Sequence, residues 1–143
     1  MSRRKLGNGE EAVEALVGLA RVRSLTPAEE ETLGKLQKLL GRYEESLAAL
    51  ERAVESAPHE MGCVLELFEA YARLGRLADA VEPLQTALEQ HPRHGQAWRD
   101  LGRALLAADR PSDAAEAAQR SIEIERSAGA FEVLAEEIGR AHV

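Results

Sequence analysis

The sequence predicts an all-α protein built as a stack of antiparallel helix pairs, and three observations lead to this fold class. Residues that pack well on a pleated sheet are scarce, because Val, Ile and Thr make up only 14 of the 143 residues and aromatic residues 3%. Apolar residues recur at the spacing of one helix face along most of the chain. The same pattern then returns every 34 residues, which is typical of a helical repeat protein.

The 34-residue period is visible in aligned columns of the sequence. Four columns carry, in turn, leucine, a turn residue, a small residue and arginine: Leu33, Leu67 and Leu101; Gly41, Gly75 and Asp109; Ser46, Ala80 and Ala114; Arg42, Arg76 and Arg110. They define three repeats, at 27–60, 61–94 and 95–128, within a single domain over residues 10–143. A small residue early in each second helix allows the two helix axes of a repeat to approach closely.

Each repeat is predicted to form a helix, a tight turn and a second helix. In the first repeat, Thr26 opens a helix with Glu29 placed for a capping box, and Gly41 ends that helix as a left-handed cap. A second helix is expected over 43–56. The corresponding helices of the later repeats are expected at 61–74, 77–90, 95–108 and 111–127. Pro83 should remove one backbone hydrogen bond from its helix and bend it.

The third repeat carries a known repeat opening, because Trp98, Leu101 and Gly102 follow the pattern W-x2-L-G. Further residues of the same pattern occur in the first two repeats: Leu33, Gly34, Ala53, Pro58, Tyr71, Ala80, Ala87 and Pro92. The chain therefore resembles the tetratricopeptide repeat family over 102 residues. The resemblance implies a right-handed superhelical stack, an α-solenoid, and a non-enzymatic role in binding other proteins.

Three residues depart from the family pattern. Phe68 stands where a small residue is usual and should widen the helix packing there. Asp109 replaces the turn glycine, and Arg126 replaces the terminal proline and should let the last helix run on.

The segments outside the repeats are expected to cap the stack. Residues 10–26 are interpreted as a capping or degenerate half-repeat helix, and residues 129–143 as a C-terminal capping helix with Phe131 and Leu134 at helical spacing and its glutamates pointing outward. Residues 1–9 are expected to form a disordered tail, because they combine a basic run with a Gly-Asn-Gly turn.

The register of the repeats predicts the core. Ten side chains are expected to be buried: Leu33, Leu50, Leu67, Tyr71, Ala80, Leu84, Trp98, Leu101, Ala114 and Leu134.

Composition excludes several classes of partner. A net charge of −7 and a pI of about 5.2 argue against a nucleic-acid partner, and no apolar run approaches the ~20 residues of a membrane span. The single cysteine, Cys63, suits a reducing compartment, so we expect a cytoplasmic protein. The abundance of Ala and of Arg over Lys suggests a bacterial source.

Candidate catalytic and metal-binding residues are few. His59, His91 and His94 lie in inter-repeat loops, but zinc needs three or four converging ligands and neither cysteines nor a fixed carboxylate are evident there. Cys63 lies near a helix start, which would lower its pKa, but no histidine is predicted beside it. We therefore expect no metal, no cofactor and no enzymatic activity.

The resemblance implies that the first helices of the repeats line a concave groove that holds a peptide. The residues predicted to face this groove are Lys35, Lys38, Leu65, Glu69, Arg73, Arg99, Arg103 and Leu106. A carboxylate clamp of the type found in chaperone-binding family members is rejected, because Glu31, Glu66 and Asp100 occupy matching positions and would repel a carboxylate.

The leading hypothesis is an adaptor or scaffold that binds a protein or peptide partner bearing acidic side chains or a free carboxylate, attracted by Arg73, Arg99 and Arg103. The alternative for these faces is an ordinary solvated surface with pairs such as Glu69–Arg73. Two other functions stay open: a small secretion-type or client chaperone, and a structural homo-oligomer joined through its end helices. The oligomeric state is expected to be a monomer or a weak homo-oligomer.

Overall fold

The computed structural model describes residues 3–141, with side chains from residue 7 to residue 140, and all regular secondary structure in that range is helical. The elements are α1 (Arg3–Val22), α2 (Pro27–Leu39), α3 (Tyr43–Ser56), α4 (Met61–Arg73), a 3-10 helix (Leu77–Ala80), α5 (Val81–Gln90), α6 (Gly95–Ala107) and α7 (Pro111–Ala141). Consecutive helices pack on one another along the chain. The predicted all-α solenoid of three helix pairs is confirmed.

The start of α2 forms as predicted. The Thr26 hydroxyl accepts a hydrogen bond from the Glu29 N–H at 3.2 Å, and the Glu29 carboxylate accepts one from the Thr26 N–H at 2.9 Å. Arg23 also donates from its two terminal guanidinium nitrogens, one to each oxygen of that carboxylate, both at 2.9 Å. These hydrogen bonds, the one from Arg23 above all, lower the pKa of Glu29 to about 2.

The three turns between paired helices share one geometry. Gly41 and Gly75 have φ of +77° and +69°, and Asp109 adopts the same left-handed conformation at +59°. In each turn the next N–H reaches back to a carbonyl five residues earlier, as from Arg110 to Leu105 at 2.9 Å. Asp109 therefore makes the glycine turn at the expense of a conformation that L-residues disfavour.

Pro83 lies just after a change in helix type. It is the third residue of α5, and the preceding turn, Leu77–Ala80, is a 3-10 helix. Proline lacks the N–H that would bond to Asp79, and its ring would clash with that carbonyl in an α-helix. The second helix of this repeat therefore begins in the tighter form.

Eight of the ten predicted core residues are buried. Trp98 is only half-buried, because its indole lies at the surface, donates to the Pro92 carbonyl at 2.8 Å and packs under the Arg120 guanidinium. Leu134 is 54% exposed, which contradicts the prediction.

Both ends of the chain differ from expectation. α1 begins at Arg3, so residues 3–9 belong to a helix rather than to a disordered tail, and residues 1–2 lie outside the described chain. A 3.9 Å ion pair joins Glu10 of α1 to Arg42 just after α2, and a Cβ placed at Gly9 would lie 3.6 Å from the Leu40 side chain, so this part of α1 runs close to the end of α2.

At the other end, α7 runs on past Arg126, as expected from the missing proline. The capping helix predicted over 129–143 is therefore not a separate helix. It continues α7 to Ala141, which explains why Leu134 is not buried, and residues 142–143 lie outside the described chain.

Two polar residues occupy core columns of the first repeat. Glu30 and Gln37 are buried, whereas the equivalent positions in the second repeat carry Val64 and Tyr71. Arg52 donates to one Glu30 oxygen at 3.0 Å, but the other oxygen and the Gln37 side-chain carbonyl have no partner within the described residues. Both side chains line a cavity of about 590 Å³ beside α1, so this junction is the polar, loosely packed part of the stack.

Replacing Asp109 by glycine should raise the free energy of unfolding by roughly 0.5–1 kcal/mol, because glycine adopts the left-handed conformation without a Cβ clash. The reverse change at the equivalent turn, Gly75→Asp, should lower it by a similar amount. Urea denaturation of both variants measures this. If both variants match the original chain, turn strain contributes nothing to stability.

Replacing Gln37 by leucine should raise the free energy of unfolding by roughly 1 kcal/mol, because it removes a buried carbonyl that lacks a donor. The exposed Gln85→Leu serves as the matched control and should be nearly neutral. Thermal and urea denaturation provide the comparison, and destabilisation by Gln37→Leu alone would mean that the amide has a partner in solution.

Candidate binding groove

The first helices of the three repeats, α2, α4 and α6, together line a cleft of about 620 Å³. We call it the groove, and its lining residues are Glu31, Lys35, Gly62, Leu65, Glu66, Phe68, Glu69, Ala72, Arg73, Gln96, Arg99, Asp100 and Arg103. Equivalent positions of successive repeats fall side by side on the same face, because the helix pairs stack with a 34-residue period.

Six of the eight residues predicted for the groove line it, and Lys38 and Leu106 do not. The Lys38 ammonium instead bridges Glu66 and Glu69, at 3.1 and 2.9 Å. Burial lowers the pKa of Lys38, but these two carboxylates outweigh it and the pKa is raised overall. Leu106 is 62% exposed beyond the groove, and Leu65 is partly buried against the core.

Several groove charges are paired within the chain. Lys35 contacts Glu31 at 3.1 Å, and the Cys63 thiol donates to the other Glu31 oxygen at 3.4 Å. Arg99 lies 3.5 Å from Glu125 on α7, where both side chains are well exposed. These pairs leave less free charge in the groove than its residue list suggests.

Arg73 and Arg103 are different, because each stacks on an aromatic ring. The Arg73 guanidinium carbon lies 5.2 Å from the centre of the Tyr43 ring, and that of Arg103 lies 5.2 Å from the centre of the Phe68 ring. Among the described side chains, neither arginine has a carboxylate oxygen within 4 Å, so the expected pair with Glu69 does not form. A stacked guanidinium keeps its N–H edges available to a ligand.

Asp100 is the third unpaired charge of the groove. It is only 6% exposed, yet within the described chain its carboxylate accepts no hydrogen bond and forms no ion pair. Burial raises its pKa, although the positive charges of Arg103 and Arg99 oppose the shift.

Phe68 was not predicted as a groove residue. Its column holds Gly34 and Gly102 in the other repeats, and its ring is buried beneath Arg103. The sequence did mark Phe68 as unusual, since an aromatic residue at a position usually occupied by a small one must displace its neighbours. What the sequence could not show is the side to which the ring turns.

The candidate catalytic and metal-binding side chains all form hydrogen bonds within the chain. Cys63 is buried, and burial together with the hydrogen bond to Glu31 raises its pKa to about 12, which contradicts the lowering expected from the helix start. His59 donates to the Thr86 carbonyl at 3.2 Å, His91 donates to the His59 carbonyl at 3.0 Å, and His94 accepts from the Ala97 N–H to cap α6.

No group of three or more His, Cys, Asp or Glu side chains among the described residues is arranged to hold a metal ion. None of the helices in the described range has both the length and the apolar character needed to cross a membrane.

Two family models, both described as tetratricopeptide repeats, match the chain over residues 65–131 and 31–60. No curated protein matches its sequence.

Several solved structures share the fold. The crystal structure of MamA has a TM-score of 0.74 at 17% identity, with 88% of this chain and 74% of that chain covered. MamA 41-end from Desulfovibrio magneticus RS-1 has a TM-score of 0.68 at 25% identity, covering 87% and 70%. YrrB, described as a TPR protein with an unusual peptide-binding site, has a TM-score of 0.70 at 22% identity, covering 84% and 62%.

Asp100→Asn should raise the free energy of unfolding at pH 7 by roughly 0.5–2 kcal/mol, because it removes a charge whose burial costs more than the nearby arginines return. The raised pKa of Asp100 means that the folded state binds its proton more readily than the unfolded state does. The cost of Asp100 is therefore present above its folded pKa and disappears as the pH falls through that value toward about 3.8.

Denaturation of both proteins from pH 7 to pH 4 measures this difference, which should shrink with the pH. Glu69→Gln is the matched control, because Glu69 is exposed and paired with Lys38, and it should show no gain. A gain that stays constant with pH would mean that the charge of Asp100 is not its cause.

Proposed function

Since the chain belongs to the tetratricopeptide repeat family, whose members are protein-interaction modules, we propose that it binds a peptide segment of a partner protein in the groove between α2, α4 and α6. The observation that carries this proposal is a set of three charges there, Arg73, Arg103 and Asp100, that form no ion pair within 4 Å among the described residues, although Arg103 and Asp100 attract each other over a longer distance. In this reading the chain is a non-enzymatic adaptor or scaffold.

The two stacked arginines select the charge of the peptide. The rings of Tyr43 and Phe68 hold the two guanidinium planes in place, so the arginine side chains lose less freedom when a ligand binds. A carboxylate can then accept two parallel hydrogen bonds from one guanidinium, which is the strongest pairing available to either group. We therefore assign to the partner an acidic side chain or a free C-terminal carboxylate near Arg73 and Arg103.

Arg99 contributes less in this proposal. Its contact with Glu125 is long and exposed, and pairs of this kind stabilise a protein by about 0–1 kcal/mol. A partner carboxylate can therefore displace Glu125 at little cost. Lys35 forms an ion pair with Glu31, so we expect its charge to attract an acidic peptide over a distance without contacting it.

Asp100 supplies the opposite polarity in the same groove. A largely buried carboxylate that accepts no hydrogen bond from the protein favours a ligand that brings an N–H group, such as a peptide backbone amide. Donors at the arginines and an acceptor at Asp100 together fix the direction in which a peptide lies. A peptide site in YrrB, as that structure is described, supports the use of this fold for a peptide ligand.

We place this interaction in the cytoplasm. The free thiol of Cys63 is buried and unpaired with another cysteine, which suits a reducing compartment.

The test is an array of short peptides in which acidic content and C-terminal chemistry, free acid or amide, vary independently. The original chain should bind acidic or free-acid peptides, and more weakly as salt is added. Arg73→Glu combined with Arg103→Glu should weaken this binding at least tenfold, since two attractive charges become repulsive. Fluorescence anisotropy of the selected peptides gives the affinities.

The control is Arg21→Glu combined with Arg93→Glu, which makes the same change in net charge at exposed arginines outside the groove. It should leave affinity nearly unchanged at physiological salt. The proposal fails if the groove variant binds as well as the original chain, or if the control loses as much affinity. The free-acid and amide arms show which source of carboxylate is recognised.

A further inference from the structure

The cavity of about 590 Å³ between α1, α2 and α3, which we call the α1 cavity, has a smaller counterpart further along the stack. The counterpart lies between α5, α6 and α7 and has a volume of about 220 Å³. Five lining positions of the two cavities are equivalent at two repeat periods: Val17, Glu30, Leu33, Gln37 and Arg52 in the first, and Gln85, Trp98, Leu101, Leu105 and Arg120 in the second. The same place in the stack is therefore more open beside α1.

The two cavities differ most at two of these columns. In the counterpart, Trp98 and Leu105 form the wall, and the Arg120 guanidinium covers the Trp98 ring at 5.3 Å from its centre. Glu30 and Gln37 occupy the equivalent positions of the α1 cavity. The first repeat thus carries a shorter side chain in one column and a polar side chain in both.

The second repeat shows how a polar group at this place is satisfied within the chain. Tyr71 stands in the column of Gln37, is buried, and donates from its hydroxyl to Glu51 of α3 at 3.2 Å. Glu30 and Gln37 are also more than nine-tenths buried, at 8% and 5% exposure. One Glu30 oxygen and the Gln37 side-chain carbonyl nevertheless accept no hydrogen bond within the described residues. The α1 cavity is therefore lined by two residues with acceptors that lack a donor.

The two acceptors belong to one face of α2, with an apolar side chain between them. Glu30 and Gln37 are seven residues apart, so two helical turns, about 10 Å, separate their Cα atoms along the axis. Leu33 lies between them on the same face and lines the cavity as well. Val17 and Ala20 of α1 add further apolar wall. An aliphatic chain with a hydrogen-bond donor at each end matches this order of groups.

The Glu30 end of the cavity is negatively charged. Arg52 donates to only one oxygen of Glu30, at 3.0 Å. Glu55, one turn further along α3, also lines the cavity, is exposed, and has no cation within 4 Å among the described side chains. Two carboxylates thus face one guanidinium. The excess negative charge favours a cationic donor at the free oxygen of Glu30.

We propose that the α1 cavity binds an aliphatic amine that lies along α2, with its ammonium at Glu30 and a second N–H donor at Gln37. Both acceptor oxygens are shielded in the free chain, so binding includes a rotation of these two side chains into the cavity, a kind of change that is common on binding. The aliphatic part packs on Leu33 and Val17. The site uses a different face of α2 from the groove and is independent of the proposed peptide binding.

This chemistry has two sources, a free diamine or a lysine side chain of a partner whose backbone N–H serves as the second donor. Titrations of the full chain followed by backbone amide shifts in NMR test both. The five-carbon diamine cadaverine should cause saturable shifts confined to α1, α2 and α3. It should bind about fivefold more tightly than pentylamine, which lacks the second donor and with it one hydrogen bond.

Two variants assign the ends of the ligand. Glu30→Gln should weaken the binding of both amines roughly tenfold, because it removes the charged acceptor. Gln37→Leu should bring the ratio of the two affinities to about one, since only the diamine contacts this residue. The matched control is Glu89→Gln, which makes the same charge change at an exposed residue outside the cavity and should keep both affinities. Circular dichroism checks that each variant folds, and Gln37→Leu, expected to be the more stable chain, tests the proposal even if Glu30→Gln does not fold.

Three results would overturn the proposal. Shifts that do not saturate would mean that the cavity holds only water. Equal affinities for cadaverine and pentylamine, or a ratio that Gln37→Leu leaves unchanged, would mean that Gln37 contacts no ligand. Nα-acetyl-lysine methylamide separates the two sources of the amine, because a backbone N–H replaces its second ammonium. Binding as tight as that of cadaverine indicates a partner's lysine, and weaker binding indicates a free diamine.

Discussion

The close approach of the two helices within each repeat is the constraint on which the rest of the structure depends. A Cβ at Gly34 would lie 2.7 Å from Leu50 Cγ, and the Ser46 hydroxyl donates to the Gly34 carbonyl at 2.6 Å. Such contacts make the two helices of a repeat a rigid unit, and rigid units of equal length stack with a fixed period. Phe68 departs from this column in the second repeat, and its ring provides the surface on which Arg103 stacks in the groove. The packing of the core therefore determines part of the chemistry of the groove.

Most of the fold could be predicted from the sequence because its determinants are local. The capping box at Thr26 and the left-handed turn at Gly41 each depend on a few neighbouring residues, and the turn recurs at the equivalent position of the next two repeats. The face of each first helix also follows from the register, which is why six of the eight predicted groove residues line the groove. The choice of charge partners could not be predicted in this way. Lys38 rather than Arg73 contacts Glu69, because distances between neighbouring helices decide the pairing.

The path of α7 shows the second limit of local reasoning. The missing proline at Arg126 correctly predicts that the helix runs on, while the apolar spacing of Phe131 and Leu134 equally indicates a separate cap. Burying two such side chains is worth about 1.5–3 kcal/mol each, which is comparable to the cost of interrupting a helix. The sequence pattern alone cannot show which of these two free energies is larger, because burial requires an apolar surface that Phe131 and Leu134 can reach. In the single chain the continuous helix leaves both side chains in water.

The places where local rules and the observed environment disagree are concentrated at two sites. Glu30 and Gln37 interrupt the core of the first repeat beside α1, where the packing is loose enough to hold a cavity. Asp100 lies at the wall of the groove, between helices that are otherwise well packed. Burial disfavours the charged form of this carboxylate, and the nearby Arg103 and Arg99 offset only part of that cost, so the charge is not there to stabilise the fold. Conflicts of this kind are expected at functional sites, and the one at Asp100 is therefore part of the basis for the proposed peptide site.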